Sequence, residues 1–308
     1  MEQETPTLLR SQPDPYKDSQ HWTERFHRPY NADMNARPFI KMHGLGNDFV
    51  VLDGRTTRIT VDARLVQAIA NRRTGIGCDQ VIILEPSDQA DLFMRIYNSD
   101  GSEVEACGNA ARCVAQLIRQ ETGAENILLE TTVNILRASV ITNELIAIDM
   151  GRPRLSWHEI PLSRQQDTLH IPLEEGSLSD PTAVNLGNPH ATFFVDDVSA
   201  VPLEDLGPKL EINPIFPKHA NIGVAQIISR GKIRLRVWER GAGLTLACGT
   251  GACAALVAAH RRQLCSRNVE VQLDGGTLKI RWQDDDHVIM TGTASTAFAG
   301  EIDLALLP

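Results

Sequence analysis

The sequence predicts an α/β protein made of two copies of one unit, and three observations predict it. Residues 95–115 lie on residues 236–256 without a gap: Arg95 on Arg236, Tyr97 on Trp238, Cys107 on Cys248. Each copy runs from an apolar strand through a small-residue turn, Ala-Cys-Gly, into an alanine-rich helix, and Cys248 follows Cys107 by 141 residues. Gly46-Asn47-Asp48 recurs at the same offset as Gly187-Asn188-Pro189, and Ile76-Gly77-Cys78-Asp79-Gln80 is matched to Ile222-Gly223-Val224-Ala225-Gln226 at an offset of 146. Matches in this order point to a duplicated unit that delivers one cysteine per copy at a helix start.

In chain order, residues 1–37 are rich in Pro, Asp, Gln, Asn and Arg, carry no sustained periodicity, and are expected to form a mobile arm. A translation start at Met34, just ahead of the first regular pattern, is also expected. A strand from Phe39 is interrupted by His43-Gly44-Leu45-Gly46-Asn47 and resumes at Phe49–Leu52. Asp62 reads as the N-cap of a helix bearing Leu65, Ile69 and Ala70. Strands follow at 81–84 and 92–97. The helix after Cys107 places Ala111, Val114, Ala115 and Ile118 on one face and stops at Gly123. A meander follows at 127–132, 136–141 and 145–149.

The second copy repeats this plan, with a strand at 191–195, a proline-flanked helix near 202–211, strands at 224–229 and 232–238, a helix from Gly249 to about Arg262, and strands at 268–273, 277–282 and 287–291. The expected units are 38–151 and 152–295, with 296–308 returning to the first.

Composition bounds the function. The 308 residues suit two ordinary cores, with 42% apolar and 22% charged residues. A net charge of −9 without a basic block argues against nucleic acid and anionic membranes as partners. No apolar run approaches the roughly 18 residues of a membrane span, and the first residues lack the plan of a signal peptide. Six cysteines without a Cys-x-x-Cys pair fit a reduced, cytoplasmic protein, and their spacings lack the second cluster of a zinc site.

The repeated cysteine carries the chemistry. The first amides of a helix lack intrahelical partners and carry about half a positive charge, so a thiolate there is expected to fall below its ordinary pKa of about 8.5. The same amides suit a carboxylate. Two units facing each other across a pseudo-two-fold axis bring two thiols to one cleft. One sulfur can then remove a proton from a carbon while the other protonates the opposite face. Fixed helix N-termini spread the carbanion charge of an amino acid onto its carboxylate. The pattern points to a racemase or epimerase with no cofactor and no metal. Lys17, Lys41, Lys209, Lys218, Lys232 and Lys279 all lie outside the two turns, which argues weakly against a Schiff base. Cys78, Cys113, Cys253 and Cys265 have no symmetric partner and are read as small packing residues.

The motifs His43-Gly44-Leu45-Gly46-Asn47-Asp48-Phe49, Gly77-Cys78-Asp79-Gln80, Asn98-Ser99-Asp100-Gly101-Ser102, Ala106-Cys107-Gly108-Asn109, Gly187-Asn188-Pro189-His190, Ala220-Asn221-Ile222-Gly223, Glu239-Arg240-Gly241-Ala242-Gly243 and Ala247-Cys248-Gly249-Thr250-Gly251-Ala252 stand in this order. From residue 38 to about 300 the chain resembles the diaminopimelate epimerase family. The resemblance implies an α+β-type fold of two pseudo-symmetric domains, each a mostly antiparallel sheet or barrel around a central helix, with the active site between them. It implies cofactor-independent interconversion of LL- and meso-diaminopimelate, for lysine and peptidoglycan precursor synthesis.

By position it makes Cys107 and Cys248 the acid/base pair, with Cys107 the donor in the LL-to-meso direction. Gly108-Asn109 and Gly249-Thr250 would hold the reacting carboxylate. Asn47, Gln80, Asn98, Asn188, Asn221, Glu239 and Arg240 would bind substrate, and His190 and Glu239 would tune the thiols. A bidentate arginine beside a glutamate suits the second amino-acid head of the substrate, although Glu239 and Arg240 also read as a structural ion pair. Ala110, Asn134 and Leu244 depart from the family pattern, and Leu244 leaves the local hydrogen bonding open. A proline or hydroxyproline racemase and a redox-responsive dithiol protein are the competing readings, and the oligomeric state is open, a homodimer included.

Overall fold

The computed structural model describes residues 36–304, apart from Ala106. The expected arm and the Met34 start therefore lie outside the described residues, save for Ala36 and Arg37. Those two already belong to a strand, opposite Asp303 and Ile302, so regular structure begins earlier than the sequence pattern suggested. The last four residues, 305–308, are likewise outside.

The first half runs β1 (Ala36–Gly44), β2 (Asn47–Asp53), α1 (Ala63–Ala70), β3 (Gln80–Glu85), β4 (Leu92–Asn98), β5 (Glu103–Val104), α2 (Gly108–Thr122), β6 (Asn126–Glu130), β7 (Ile135–Val140) and β8 (Leu145–Asp149). A loop-rich stretch with a small hairpin, β9 (Glu174–Glu175) and β10 (Leu178–Ser179), leads to the second half. That half runs β11 (Thr182–Asn185), β12 (Pro189–Phe194), α3 (Leu203–Glu211), β13 (Asn221–Ser229), β14 (Lys232–Glu239), β15 (Gly243–Thr245), α4 (Gly249–Arg261), β16 (Asn268–Leu273), β17 (Gly276–Trp282) and β18 (Val288–Thr293), and β19 (Ser295–Asp303) closes the chain. The elements of the second half follow those of the first one for one, as the duplication predicted.

Local chemistry sets these elements. The Asp62 carboxylate accepts from the Leu65 amide at 2.8 Å and starts α1. Gly123 ends α2 in the left-handed region, φ 78°, and its amide returns to the Arg119 carbonyl. The strand expected to reach Thr132 stops at Glu130, because the Thr131 amide turns back onto the Asn134 carbonyl at 2.8 Å. The Asn134 side chain also accepts from Thr131 Oγ1 at 2.9 Å, which gives the departure from glycine a role in that turn.

The pairing is mostly antiparallel, with matching exceptions in the two halves. β2 lies parallel to β3 and β12 to β13, while β4 lies parallel to β6 and β14 to β16. Register corrects the repeat. Phe49 stands opposite Gln80 as His190 stands opposite Asn221, so the counterpart of Gln80 is Asn221, 141 residues on, and not Gln226. The Ile-Gly match at 146 was a coincidence of composition: Gly77 sits in a left-handed turn, φ 78°, whereas Gly223 lies within a strand.

The halves are stitched in two ways. The equivalent strands β8 and β18 pair antiparallel, Ile148 facing Met290. The segment after each then crosses over: Arg154 bridges to Asn185 of β11, and β19 lies along β1. One apolar cluster envelops both α2 and α4. Their small side chains, Ala110, Ala111, Cys113 and Ala115 in α2 and Ala252, Cys253, Ala254 and Ala255 in α4, are fully buried, as expected of helices enclosed by sheet. A second cluster, with Phe193 and Phe216, lies under α3, and a third packs Val66 and Ile69 of α1 on Val81 and Ile83.

Burial keeps the packing thiols neutral. It pushes Cys78, Cys113 and Cys253 up to about 12, from an ordinary value of 9.0. A group raised in this way contributes stability that is complete below pH 9 and is lost as pH climbs toward the folded value, about 1.4 kcal/mol per thiol per pH unit. The thermal midpoint should fall steadily above pH 9; a midpoint flat across that span would contradict the buried, neutral assignment.

Candidate active site

The β-registers gather the singled-out residues at one end of each half. In the first half, Asn47 opens β2, Gln80 opens β3, Asn98 ends β4 and Cys107 precedes α2. In the second, Asn188 precedes β12, Asn221 opens β13, Glu239 ends β14 and Cys248 precedes α4. Each pair is 141 residues apart. The fold thus presents two equivalent sets of side chains, and the two helix starts are where they meet.

Cys107 and Cys248 are N-caps with extended backbone, φ −142° and −115°. The first intrahelical bond of α2 comes from Ala111 to the Cys107 carbonyl and that of α4 from Ala252 to the Cys248 carbonyl. The amides of Gly108, Asn109, Gly249 and Thr250 therefore precede both ladders and suit a carboxylate. The two starts touch. Asn109 Nδ2 donates to the Ala247 carbonyl at 3.1 Å, one residue ahead of Cys248, and to Asn47 Oδ1 at 3.1 Å. Met290, fully buried, fills the space beneath both: a Cβ on Gly108 would stand 2.6 Å from its Cε, and one on Gly249 2.8 Å from its Sδ. A side chain at either position would require Met290 to move.

Around the sulfurs, Cys107 Sγ approaches Asn47 Oδ1 at 3.9 Å. Asn47 is held by Asp79, its Nδ2 donating at 2.9 Å, and Asp79 is itself gripped by Arg72. Cys248 Sγ accepts from the Gly251 amide at 3.3 Å and lies 3.6 Å from Thr250 Oγ1. The Glu239 charge acts on both thiols, raising Cys248 and Cys107 alike. Thr245 Oγ1 donates to Glu239 at 2.5 Å and aims it. Leu244 pairs with Trp238 and packs on the second core cluster.

Against the expectation from the helix starts, neither thiol is lowered. Burial pushes Cys107 up to about 11, with the Glu239 charge adding to the rise and the Ala110 and Asn109 amides and Arg112 opposing it. Burial and Glu239 raise Cys248 well above the ordinary range. Glu239 is itself raised, by burial above all. A helix terminus contributes about 1 kcal/mol, whereas a rise of about two units is worth roughly 2.7 kcal/mol. Desolvation wins.

The remaining residues form two linked groups. Gln80 Nε2 donates to Asn98 Oδ1 at 3.0 Å, and its buried Oε1 has no partner among the described residues. Asn188 Oδ1 meets His190 Nε2 at 2.9 Å, Asn221 donates to the Pro189 carbonyl, and Asn221 Oδ1 accepts from the Arg240 amide. His190 is buried and held down to about 3 by that burial and by Arg240, so it is neutral. Glu239 and Arg240 are not an ion pair among the described residues. Glu239 turns to the thiols, while Arg240 is exposed and donates to the Lys218 carbonyl at 3.0 Å. Sequence reading passed over Thr245, Met290 and Arg112, whose roles depend on contacts between distant segments. Among the described residues no three His, Cys, Asp or Glu side chains converge as a metal-ligand set, and no helix is long and apolar enough to cross a membrane.

Comparison with known proteins gives concordant results. A family model described as diaminopimelate epimerase matches residues 39–156 and 182–297. The chain is 54% identical over 272 residues to the diaminopimelate epimerase of Acidiphilium cryptum, covering 88% of this chain and 98% of that one. It is 53% identical over 275 residues to that of Rhodospirillum centenum, covering 89% and 94%. Among solved structures, a hydroxyproline epimerase from Agrobacterium vitis superposes with a TM-score of 0.66 at 15% identity, over 87% of this chain and 91% of that one. A phenazine biosynthesis protein of the PhzF family from Bacillus anthracis superposes at 0.63 and 17% identity, over 87% and 99%. At such identities these two structures share the fold.

The cross-half bond of Asn109 can be tested by stability. Asn109→Asp sets a carboxylate against two acceptors and should cost about 2 kcal/mol or more in urea unfolding, and more than Asn109→Ala. Equal stability of the two variants would argue against the bridge.

Proposed function

Because the chain belongs to the diaminopimelate epimerase family, we propose that it interconverts LL- and meso-2,6-diaminopimelate with Cys107 and Cys248 as its two acid/base groups. What supports this reading above all is the meeting of the two helix starts, where Asn109 of one half bonds the carbonyl beside Cys248 of the other and a single carboxylate, Glu239, acts on both thiols.

The chemistry follows from that arrangement. The substrate carboxylate takes the amides of Gly108, Asn109, Gly249 and Thr250, which spread the charge that develops at the α-carbon. In the LL-to-meso direction the Cys248 thiolate removes the α-proton and Cys107 gives its proton to the opposite face. Each LL-to-meso turnover leaves Cys248 protonated and Cys107 ionised. A high thiol pKa favours a strong base once ionised, and the Glu239 charge adds to that rise at Cys248. Asn47, Gln80, Asn98, Asn188 and Asn221, with the exposed Arg240 guanidinium, bind the rest of the substrate, and neutral His190 fixes Asn188. We divide the catalytic units at 151/152, with 296–308 joining the first, in keeping with the β1–β19 pairing. All six cysteines are free, in keeping with a cytoplasmic enzyme of lysine and peptidoglycan precursor synthesis.

In heavy water, either stereoisomer should acquire solvent deuterium at the α-carbon, and Cys107→Ala or Cys248→Ala should lower kcat by at least about a thousandfold while the fold is kept. Comparable turnover in either variant would overturn the assignment. Proline and hydroxyproline should not be turned over, and turnover of either would favour the racemase reading. Because one thiol must be ionised and the other protonated, kcat/KM should rise and then fall with pH as a property of the pair. A single limb would contradict the two-base reading.

A further inference from the structure

The two halves hold their equivalent asparagines by different means. Asn47 and Asn188 stand 141 residues apart, yet at the same offset Asp48 is matched by Pro189 and Asp79 by Ala220. In the first half the grip is charged. Asp79 Oδ2 accepts from Asn47 Nδ2 at 2.9 Å and from the Asp48 amide at 3.1 Å, while the Asp48 carboxylate accepts from the Asp79 amide at 2.9 Å. Arg72 Nη2 spans the pair, 2.7 Å from Asp48 Oδ1 and 2.8 Å from Asp79 Oδ1, and Lys41 Nζ lies 2.7 Å from Asp48 Oδ2. In the second half a neutral ring serves instead, His190 Nε2 meeting Asn188 Oδ1 at 2.9 Å.

The sense of these bonds matters because an amide has two unlike ends. An ionised carboxylate can only accept, so Asp79 takes the amino end of Asn47. The Asn47 oxygen is thereby turned the other way, 3.1 Å from Asn109 Nδ2 and 3.9 Å from Cys107 Sγ. Asn109 Nδ2 donates in turn to the Ala247 carbonyl at 3.1 Å. Direction thus passes from one carboxylate through two amides to the residue beside Cys248. Were Asn47 to turn over, its amino end would face the Asn109 amino group, and a buried donor would lose its acceptor. Asn188 is held by its opposite end, so the two asparagines are not interchangeable. Stability does not account for the charged grip. Asp79 and Arg72 expose 45% and 57% of their side chains, and an ion pair so exposed contributes little.

We propose that Asp79 is a positioning residue for the reaction: by taking the amino end of Asn47 it keeps the Asn47 oxygen on Cys107 and Asn109, and with it the join between the two helix starts. Arg72 holds Asp79 in place for this. The inference rests on the two-thiol reading above. That reading fails separately, if either cysteine-to-alanine variant keeps its turnover.

The test is kcat/KM for deuterium incorporation at the α-carbon of diaminopimelate, measured on the full chain with both cysteines intact. Asp79→Ala removes the acceptor and should lower kcat/KM at least about tenfold. Asp79→Asn loses the charge but keeps one acceptor oxygen, which Asn47 Nδ2 and the Asp48 amide both call for, and should stay within about threefold of the parent. In an Asn47→Ala protein, Asp79→Ala should cost less than about threefold further, because the side chain it acts through is gone. A residue that merely supports the fold would cost the same in both backgrounds. Full activity in Asp79→Ala, an asparagine variant as impaired as the alanine one, or equal losses with and without Asn47 would overturn the proposal. Should Asp79→Ala fail to fold, the asparagine variant decides alone: activity held within threefold supports the acceptor role, and a tenfold loss ends it.

Discussion

The contact on which the rest of the structure depends is the one between the two helix starts. Asn109 Nδ2 reaches the Ala247 carbonyl across the seam, and Met290 fills the space beneath Gly108 and Gly249. Neither helix alone could hold a substrate carboxylate from both sides. The strands serve this meeting: β8 and β18 pair across the halves, and the exchanged segments at Arg154 and β19 lock each half to the other. The crossovers tie the two cysteine-bearing halves together through sheet hydrogen bonds.

Electrostatics at this seam runs against the simplest expectation. A helix N-terminus stabilises an anion, yet both thiols are raised, because taking a sulfur out of water outweighs the terminal amides and the Glu239 charge adds to the rise. High thiol pKa values suit the task in another way. The α-hydrogen of an amino acid is a weak acid, so a base that is reluctant to ionise is a strong one once it has. In the proposed mechanism the amides act on the substrate's developing charge, where their effect on rate is greatest.

Much of this was legible in the chain. Asp62, Gly123 and the two Cys-Gly steps mark element ends through short-range chemistry, and the structure keeps them where the sequence put them. The repeat was legible too, but its register was not. Ile76-Gly77 and Ile222-Gly223 look alike as strings, whereas the hydrogen-bond ladder equates Gln80 with Asn221. Glu239 and Arg240 are neighbours in sequence, yet Glu239 turns to the sulfurs and Arg240 to a loop carbonyl, so adjacency misled. Met290 and Arg112 gave no signal at all. Their importance comes from contacts between segments nearly 180 residues apart, which no local pattern encodes.

The central claim is that two sulfurs flank a single carbon, and a crystal structure of the enzyme with meso-diaminopimelate bound tests it most directly. The account predicts Cys107 Sγ and Cys248 Sγ on opposite faces of one α-carbon, each about 3.5 Å from it, with the carboxylate on the amides of Gly108, Asn109, Gly249 and Thr250. A complex in which only one sulfur reaches the α-carbon, or in which the two lie on the same face, would contradict it.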